Sequence, residues 1–258
     1  MSDPFHSSKY SIERAKHHIS DFNQQVAEFF TSNPYGRIVE IDQNTSEEVH
    51  KLKFTKPMPV VLQGIAVDAV NNLRSALDQA AYAVIILSHE DTRFASFPFA
   101  DSKTQFENMV KGRCKGMPKE IVDLIRRIRP YKGGNNFLWA LNKICNTNKH
   151  AIICPVALMS GVRYKHATFT RGVIIRPPSW DRAKNEMELF RQPQGGRAEV
   201  DFNIATYIAI LDVEFVDGKP AIAVLNEFVR IVEGSVKLIE AETYKLGLLR
   251  PGTRNKRD

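Results

Sequence analysis

Residues 60–88, VVLQGIAVDAVNNLRSALDQAAYAVIILS, contain no proline and are rich in helix-forming residues, which predicts the longest helix of the chain. Apolar residues recur here every three or four positions and form one buried stripe: Leu62, Ile65, Ala69, Leu73, Ala76, Leu77, Ala80 and Val84. Another side of the same helix is polar: Asp68, Asn71, Asn72, Ser75, Asp78, Gln79 and Tyr82. A polar side of that length must face water or a partner.

The same periodicity predicts further helices over 11–30, 103–111, 118–128, 137–146 and 221–245. Asn135 or Asn136 is expected to cap the helix over 137–146, which should end near His150. Alternating residues predict a hairpin over 37–41 and 49–54, and strands over 162–170, 173–176, 199–202 and 207–216. These elements predict an α+β fold, mainly a helical bundle with an N-terminal β-hairpin and a strand-rich segment in the C-terminal half. We expect a single domain, with a helical part over about 1–158, a strand-rich part over about 160–218 and a closing helix over 221–245.

Composition restricts the class of protein. The chain has 258 residues, of which 43% are hydrophobic and 25% are charged, as in ordinary globular proteins. The first residues do not resemble a secretory leader, and the longest apolar run, 80–87, is shorter than the roughly 20 residues that span a bilayer. Three widely spaced cysteines and the absence of familiar nucleotide-binding or metalloprotease motifs predict neither a cofactor nor a metal site. These features predict a cytoplasmic protein without a membrane span.

Positive charge is concentrated in a few segments. The formal net charge is +7, and residues 111–132 hold eight basic residues against Glu120 and Asp123. A clustered basic surface attracts polyanions, of which nucleic acid is the commonest. The candidate nucleic-acid-binding residues are Arg126, Arg127, Arg129 and Lys132 of this segment, together with Arg74. The alternative is that these side chains form an ordinary solvated face.

A polar row on the helix near residue 140 is the most distinctive group for chemistry. Asn142, Asn146 and His150 are spaced four apart, so they project from one side of a helix, with Lys143 and Lys149 beside them. Histidine transfers protons near neutral pH, and lysine or asparagine binds phosphate oxygens. These groups are suited to cleaving RNA without a metal. Alternatively, the asparagines only face solvent and His150 interacts with the helix dipole.

The segment 145–150, CNTNKH, resembles the Arg-Asn-x-x-x-His signature of HEPN-domain proteins, which are all-helical modules of bacterial toxin and defence systems. In that family an antiparallel helix pair carries the motif, and dimerisation creates a composite site that cuts RNA. The resemblance implies His150 as the catalytic histidine and Asn146 as its polar companion. It also implies a homodimer, in which the 60–88 helix packs beside the motif and brings Arg74 or Asp78 to the site.

One departure from the signature is that Cys145 stands where the family has arginine. Lysine lacks the planar guanidinium that binds phosphate with two parallel hydrogen bonds. Either Lys143, Lys149 or Arg74 replaces that arginine, or the site is inactive. The hypothesis is therefore a HEPN-like, metal-independent, RNA-directed nuclease, a degenerate form of it, or a nucleotide-binding module. The alternative is a non-enzymatic protein- or nucleic-acid-binding module, and a third candidate is a metal-dependent bundle enzyme using Asp68, Asp78 and His150.

Overall fold

The computed structural model describes residues 3–147, 155–169, 172–175, 180–181 and 183–249. Helices and strands are both present in these residues, so the chain has the predicted α+β fold. The chain divides into two compact units. The helical unit comprises residues 1–22, 63–154 and 210–258, and the sheet unit comprises residues 23–62 and 155–209. The expectation of a single domain stays a prediction.

The described residues form six helices: α1 (His6–Thr31), α2 (Val61–Leu87), α3 (Lys103–Arg113), α4 (Lys119–Ile128), α5 (Asn136–Thr147) and α6 (Ala221–Lys245). Each corresponds to a helix predicted from apolar periodicity, and α6 begins and ends at the predicted residues. Pro118 precedes α4 as its cap rather than lying in its first turn. Among the described residues, no helix is both long enough and apolar enough to cross a membrane.

The core of the helical unit is built from the apolar stripes of these helices. Leu73 and Leu77 of α2, Ile121 and Ile125 of α4, and Phe228 of α6 are all at most 1% exposed. Full burial of such a side chain stabilises the fold by roughly 1.5–3 kcal/mol. Each of these residues occupies a position that the periodicity assigns to an apolar face.

The ends of α4 and α5 create a compact turn. Residue Arg129 ends α4 in the left-handed conformation, with φ of 58°. Asn135 is the cap of α5, since its Oδ1 accepts a hydrogen bond of 3.1 Å from the backbone N–H of Leu138. The last described residue of α5 is Thr147, so the predicted end of this helix near His150 lies outside the described residues.

The part of the chain that the structure describes contains seven strands: β1 (Tyr35–Ile41), β2 (Glu47–Phe54), β3 (Pro155–Phe169), β4 (Trp180–Asp181), β5 (Glu186–Pro193), β6 (Ala198–Ile210) and β7 (Lys219–Pro220). The predicted antiparallel hairpin is formed by β1 and β2, with Tyr35 opposite Phe54. This hairpin continues into a sheet of order β1-β2-β5-β4, and β3 neighbours β6 in a second sheet. A small core of the sheet unit consists of Leu52, Met187, Leu189 and Phe190.

The strand prediction is wrong in several details. β5 has no counterpart among the predicted strands, because its charged residues obscure the alternation. The predicted strand over 207–216 ends at Ile210, because residues 211–218 turn, with the N–H of Gly218 donating to the carbonyl of Ile210. In the predicted strand over 173–176, the described residues 173–175 contribute an isolated bridge between Ile174 and Arg191.

Candidate functional site

The predicted catalytic row lies on the C-terminal half of α5. Asn142 is half-buried, whereas Lys143 and Asn146 are exposed. Lys149 and His150 lie outside the described residues. The part of the row that the structure describes is therefore accessible at Asn146 and in contact with protein at Asn142.

Arg74 of α2 supplies a guanidinium to this row. Its Nε donates a hydrogen bond of 3.0 Å to Oδ1 of Asn142, a residue 68 positions away in the sequence. Its guanidinium carbon lies 4.2 Å from the centroid of the Phe99 ring, which is a cation–π contact. Lys143 remains exposed, so Arg74 is the described cation that contacts the row.

Asp78 holds the guanidinium of Arg74 from the same helix. The carboxylate forms an ion pair with Nη1 of Arg74, one helical turn away. The second oxygen of Asp78 accepts a hydrogen bond of 2.8 Å from the N–H of Phe97. Asp78 thus positions both Arg74 and the chain beneath it. We name this group of Arg74, Asp78 and Asn142 the α2–α5 seam.

Residues 97–101 connect the α2–α5 seam to the turn between α4 and α5. Phe99 lies under Arg74, and the next residue, Ala100, donates its N–H to the carbonyl of Pro130. Asp101 accepts a hydrogen bond of 2.7 Å from the indole Nε1 of Trp139. Phe99 and Ala100 are adjacent in the chain, so a displacement of the turn would also displace the residue beneath Arg74.

The predicted nucleic-acid-binding residues separate into three places. Arg126, Arg129 and Lys132 line one cleft of about 750 Å³, which we name the helical cleft. Arg127 is exposed but does not line this cleft, because consecutive helical residues project about 100° apart. Arg74 belongs to the α2–α5 seam. Lys103 also lines the helical cleft. It was not predicted, because it lies outside the basic segment in the sequence.

The wall of the helical cleft is a tightly hydrogen-bonded turn, residues 129–134. The carbonyl of Arg129 accepts hydrogen bonds from the N–H groups of Tyr131 and Asn135, both at 2.7 Å. Gly133 adopts φ of 84°, and a Cβ on Gly134 would lie 2.5 Å from the carbonyl oxygen of Arg129. Glycine is therefore required at 134 for steric reasons and at 133 for its backbone conformation.

The charges in the helical cleft differ in their partners. Arg126 donates to Glu107 at 3.1 Å and to Asp123 at 3.0 Å, and these hydrogen bonds raise its pKa above the ordinary value. Lys132 lies 2.5 Å from Glu214. Among the described residues, no carboxylate pairs with Lys103 or Arg129, although Arg129 donates to the carbonyl of Gly133 at 3.2 Å. Two of the four positive charges thus remain without a negative partner there.

A second charged cleft, of about 500 Å³, lies on the face of the sheet formed by β1, β2, β4 and β5 and is named the sheet cleft. Lys51 pairs with Glu186 at 2.7 Å and with Glu40 at 2.5 Å. Arg191 donates to both oxygens of Glu188, at 2.8 and 2.9 Å, and to Asp42 at 2.6 Å. These hydrogen bonds, first to Glu188 and then to Asp42, raise the pKa of Arg191. This group was not predicted from the sequence, because its members come from distant strands.

No cluster of three or more histidine, cysteine, aspartate or glutamate residues suited to a metal ion occurs in the described part of the chain. Of the residues named for the metal-dependent candidate, Asp78 is engaged by Arg74 and Phe97. Asp68 is exposed, and His150 lies outside the described residues. The described geometry therefore offers no support for that candidate.

Comparison with known proteins gives no relative of this chain. No family model, no curated protein and no solved structure matches it.

Proposed function

We propose that this protein is an RNA-directed, HEPN-like module in which the α2–α5 seam is the site of phosphate contact and His150 transfers protons. The single observation that supports this proposal is the hydrogen bond of 3.0 Å between Arg74 Nε and Asn142 Oδ1. Cys145 stands where the HEPN signature has arginine, and Arg74 brings a guanidinium to the same row from another helix. A guanidinium suits phosphate because its planar donors match two phosphate oxygens.

The chemistry of the proposal needs no metal. The 2′-hydroxyl of RNA attacks the adjacent phosphorus, His150 takes the hydroxyl proton, and the bond to the 5′-oxygen breaks. Water supplies a proton to the departing 5′-oxygen, leaving a 2′,3′-cyclic phosphate on the other product. Asn146 and Arg74 bind the charged phosphoryl oxygens during this step. DNA lacks the attacking hydroxyl and is not cleaved.

A second candidate function is RNA binding without turnover. The observation that favours it is the ion pair of Arg74 with Asp78, because a guanidinium that is already neutralised binds phosphate less strongly. The helical cleft supports binding equally in both candidates. Turnover therefore distinguishes them, and affinity alone does not.

The test is cleavage of a mixed RNA pool by freshly purified protein with chelator present. We expect His150→Ala to lower the cleavage rate by about 100-fold or more, as for loss of a general acid–base group. Arg74→Lys should lower it by about 10-fold, because lysine keeps the charge but loses the planar donors. The matched control is Arg93→Lys, since Arg93 is an exposed arginine that pairs with Asp91 alone among the described residues.

Two outcomes decide between the candidates. Equal cleavage by the wild-type protein and His150→Ala would remove His150 from the mechanism. RNA binding without cleavage by any variant would favour the binding module. The HEPN resemblance also implies a homodimer, which sedimentation velocity of the purified protein measures directly.

A further inference from the structure

We infer that the helical cleft is a binding site for the phosphodiester backbone of one RNA strand. This inference deepens the proposed function, because it takes RNA as the ligand, but it concerns a place other than the α2–α5 seam. A cleft of about 750 Å³ is within the usual size of a ligand site. Its charged lining consists of Lys103, Arg126, Arg129, Lys132 and one acid, Glu107.

Two of these cations are available to a ligand. Lys103 is exposed and makes no ion pair with a described residue, and Arg129 is bound only to the carbonyl of Gly133 in the described structure. Arg126 is engaged by Glu107 and Asp123, so its charge is largely neutralised. A phosphate entering the cleft therefore gains its largest electrostatic attraction from Lys103 and Arg129.

The cleft is shaped before a ligand arrives. Tyr131 is 8% exposed and Phe106 is 1% exposed, and their ring centroids lie 5.1 Å apart, so this part of the lining is apolar and well packed. The 129–134 turn is held by backbone hydrogen bonds, including those from Tyr131 and Asn135 to the carbonyl of Arg129. Preorganised donors bind anions more tightly because little conformational entropy is lost on binding.

The position of the cleft suits a strand that also reaches the α2–α5 seam. Ala100 is hydrogen-bonded to the turn through Pro130 and Lys132, and the preceding residue, Phe99, lies under Arg74. Both places belong to the helical unit. The wall of the helical cleft is thus hydrogen-bonded to Ala100, the residue that follows Phe99 beneath Arg74.

The experiment is a salt titration of binding to a fluorescent single-stranded RNA, measured by anisotropy in the His150→Ala background so that the RNA survives. Each phosphate contact contributes about 0.7 to the slope of log affinity against log salt concentration for a single strand. We expect Lys103→Gln to reduce the slope by about 0.7, Lys103→Arg to restore it, and Lys103→Gln with Arg129→Gln to reduce it by about 1.4. The matched control is Lys237→Gln, an exposed lysine of α6 that pairs with Glu233.

The outcomes separate this inference from the proposed function. A slope that depends on Lys103 in a protein that never cleaves RNA would support the cleft and overturn the nuclease. Cleavage by the wild-type protein, together with an unchanged slope in Lys103→Gln and in the double variant, would overturn the cleft and keep the nuclease. Failure of RNA to bind at all would overturn both. Circular dichroism of each variant checks that Arg129→Gln has not unfolded the helices on either side of the 129–134 turn. Lys103 lies outside this turn, so the single variant Lys103→Gln tests the cleft without altering the turn.

Discussion

The helical cleft and the sheet cleft are both lined by charged side chains, but they differ in how those charges are paired. On the sheet, Arg191 is surrounded by Asp42 and Glu188, and Lys51 by Glu40 and Glu186. In the helical cleft, Lys103 and Arg129 have no carboxylate partner among the described residues. Paired charges stabilise strands against one another, whereas unpaired charges are available to a ligand. Whether a cleft binds anions is therefore indicated by how its positive charges are paired, rather than by how many of them it contains.

The largest effect on the free energy of unfolding is expected from a steric change in the turn that lines the helical cleft. Gly134→Ala would place a Cβ 2.5 Å from the carbonyl oxygen of Arg129, so the 129–134 turn must shift. We expect a loss of about 3 kcal/mol in the free energy of unfolding, together with weaker RNA binding. Urea denaturation measures the first and anisotropy the second.

The matched control is Gly234→Ala, in the interior of α6, where an added Cβ meets no heavy atom within 4 Å. Alanine is the better helix former, so we expect this variant to gain about 0.5–1 kcal/mol. If Gly134→Ala were as stable as the wild-type protein, the turn would be more adaptable than its hydrogen bonds indicate. The inference that the cleft is preorganised would then be wrong.

Removing a paired charge from the sheet cleft is expected to have an intermediate effect on stability. Arg191→Met leaves the carboxylates of Asp42 and Glu188 close together without their cation. We expect a loss of about 2 kcal/mol in the free energy of unfolding, reduced from the value for a fully buried pair by partial exposure. Adding Glu188→Gln should recover part of that loss, because it removes one of the two neighbouring negative charges.

Lys103→Gln provides the contrast, since it removes an unpaired charge of the helical cleft. Its free energy of unfolding should stay within about 0.5 kcal/mol of the wild-type value, although RNA binding weakens. Urea denaturation of Arg191→Met, Lys103→Gln and the wild-type protein measures both effects. Equal stability of the two variants would contradict the distinction between paired and unpaired clefts.

A pH dependence of stability in the sheet unit is expected to be smaller than the loss caused by Arg191→Met. His50 is 6% exposed and stacks on Phe190, with ring centroids 4.3 Å apart, and burial lowers its pKa. The charge of Arg37, whose Nη2 lies 2.8 Å from His50 Nδ1, lowers that pKa further, whereas Glu48 at 3.7 Å opposes the shift. The folded state therefore prefers neutral His50.

The sign of the effect follows from proton binding. An unfolded histidine gains its proton as the pH falls through about 6.5, before the folded one does, so stability is full above that pH and decreases below it. One proton changes the free energy of unfolding by at most about 1.4 kcal/mol per pH unit. Denaturation of the wild-type protein and His50→Gln between pH 7.5 and 5 measures this change. Parallel curves for the two proteins would show that His50 does not titrate differently on folding.

The sequence predicted helices better than strands, and α6 and β5 illustrate the reason. The bounds of α6 follow from Pro220 before it and from the spacing of Leu225, Phe228 and Val232. β5, with the sequence EMELFRQP, contains charged residues that pair across the sheet cleft, so its strand pattern depends on β2. Local hydrogen bonds make a helix readable from one segment, whereas a strand is stabilised by its neighbours.

The candidate site was predicted in part. The row containing Asn142 and Asn146 was recognised because four-residue spacing places side chains on one face of a helix. Arg74 was one of three substitutes considered for the missing arginine, and sequence spacing could not select among them. Lys103 was not predicted, because seven residues separate it from the basic segment that begins at Lys111.

By itself the sequence determined the six helices, the hairpin and the α+β class, since apolar periodicity and capping residues act within one segment. Only the tertiary structure decided that Arg74 contacts Asn142 across 68 positions and that Lys103 joins Arg129 in one cleft. It also decided that Arg191 is neutralised by Glu188 and Asp42. The physical reason is that the energy of a charge depends on its neighbours in space, and folding brings together neighbours that are distant along the chain.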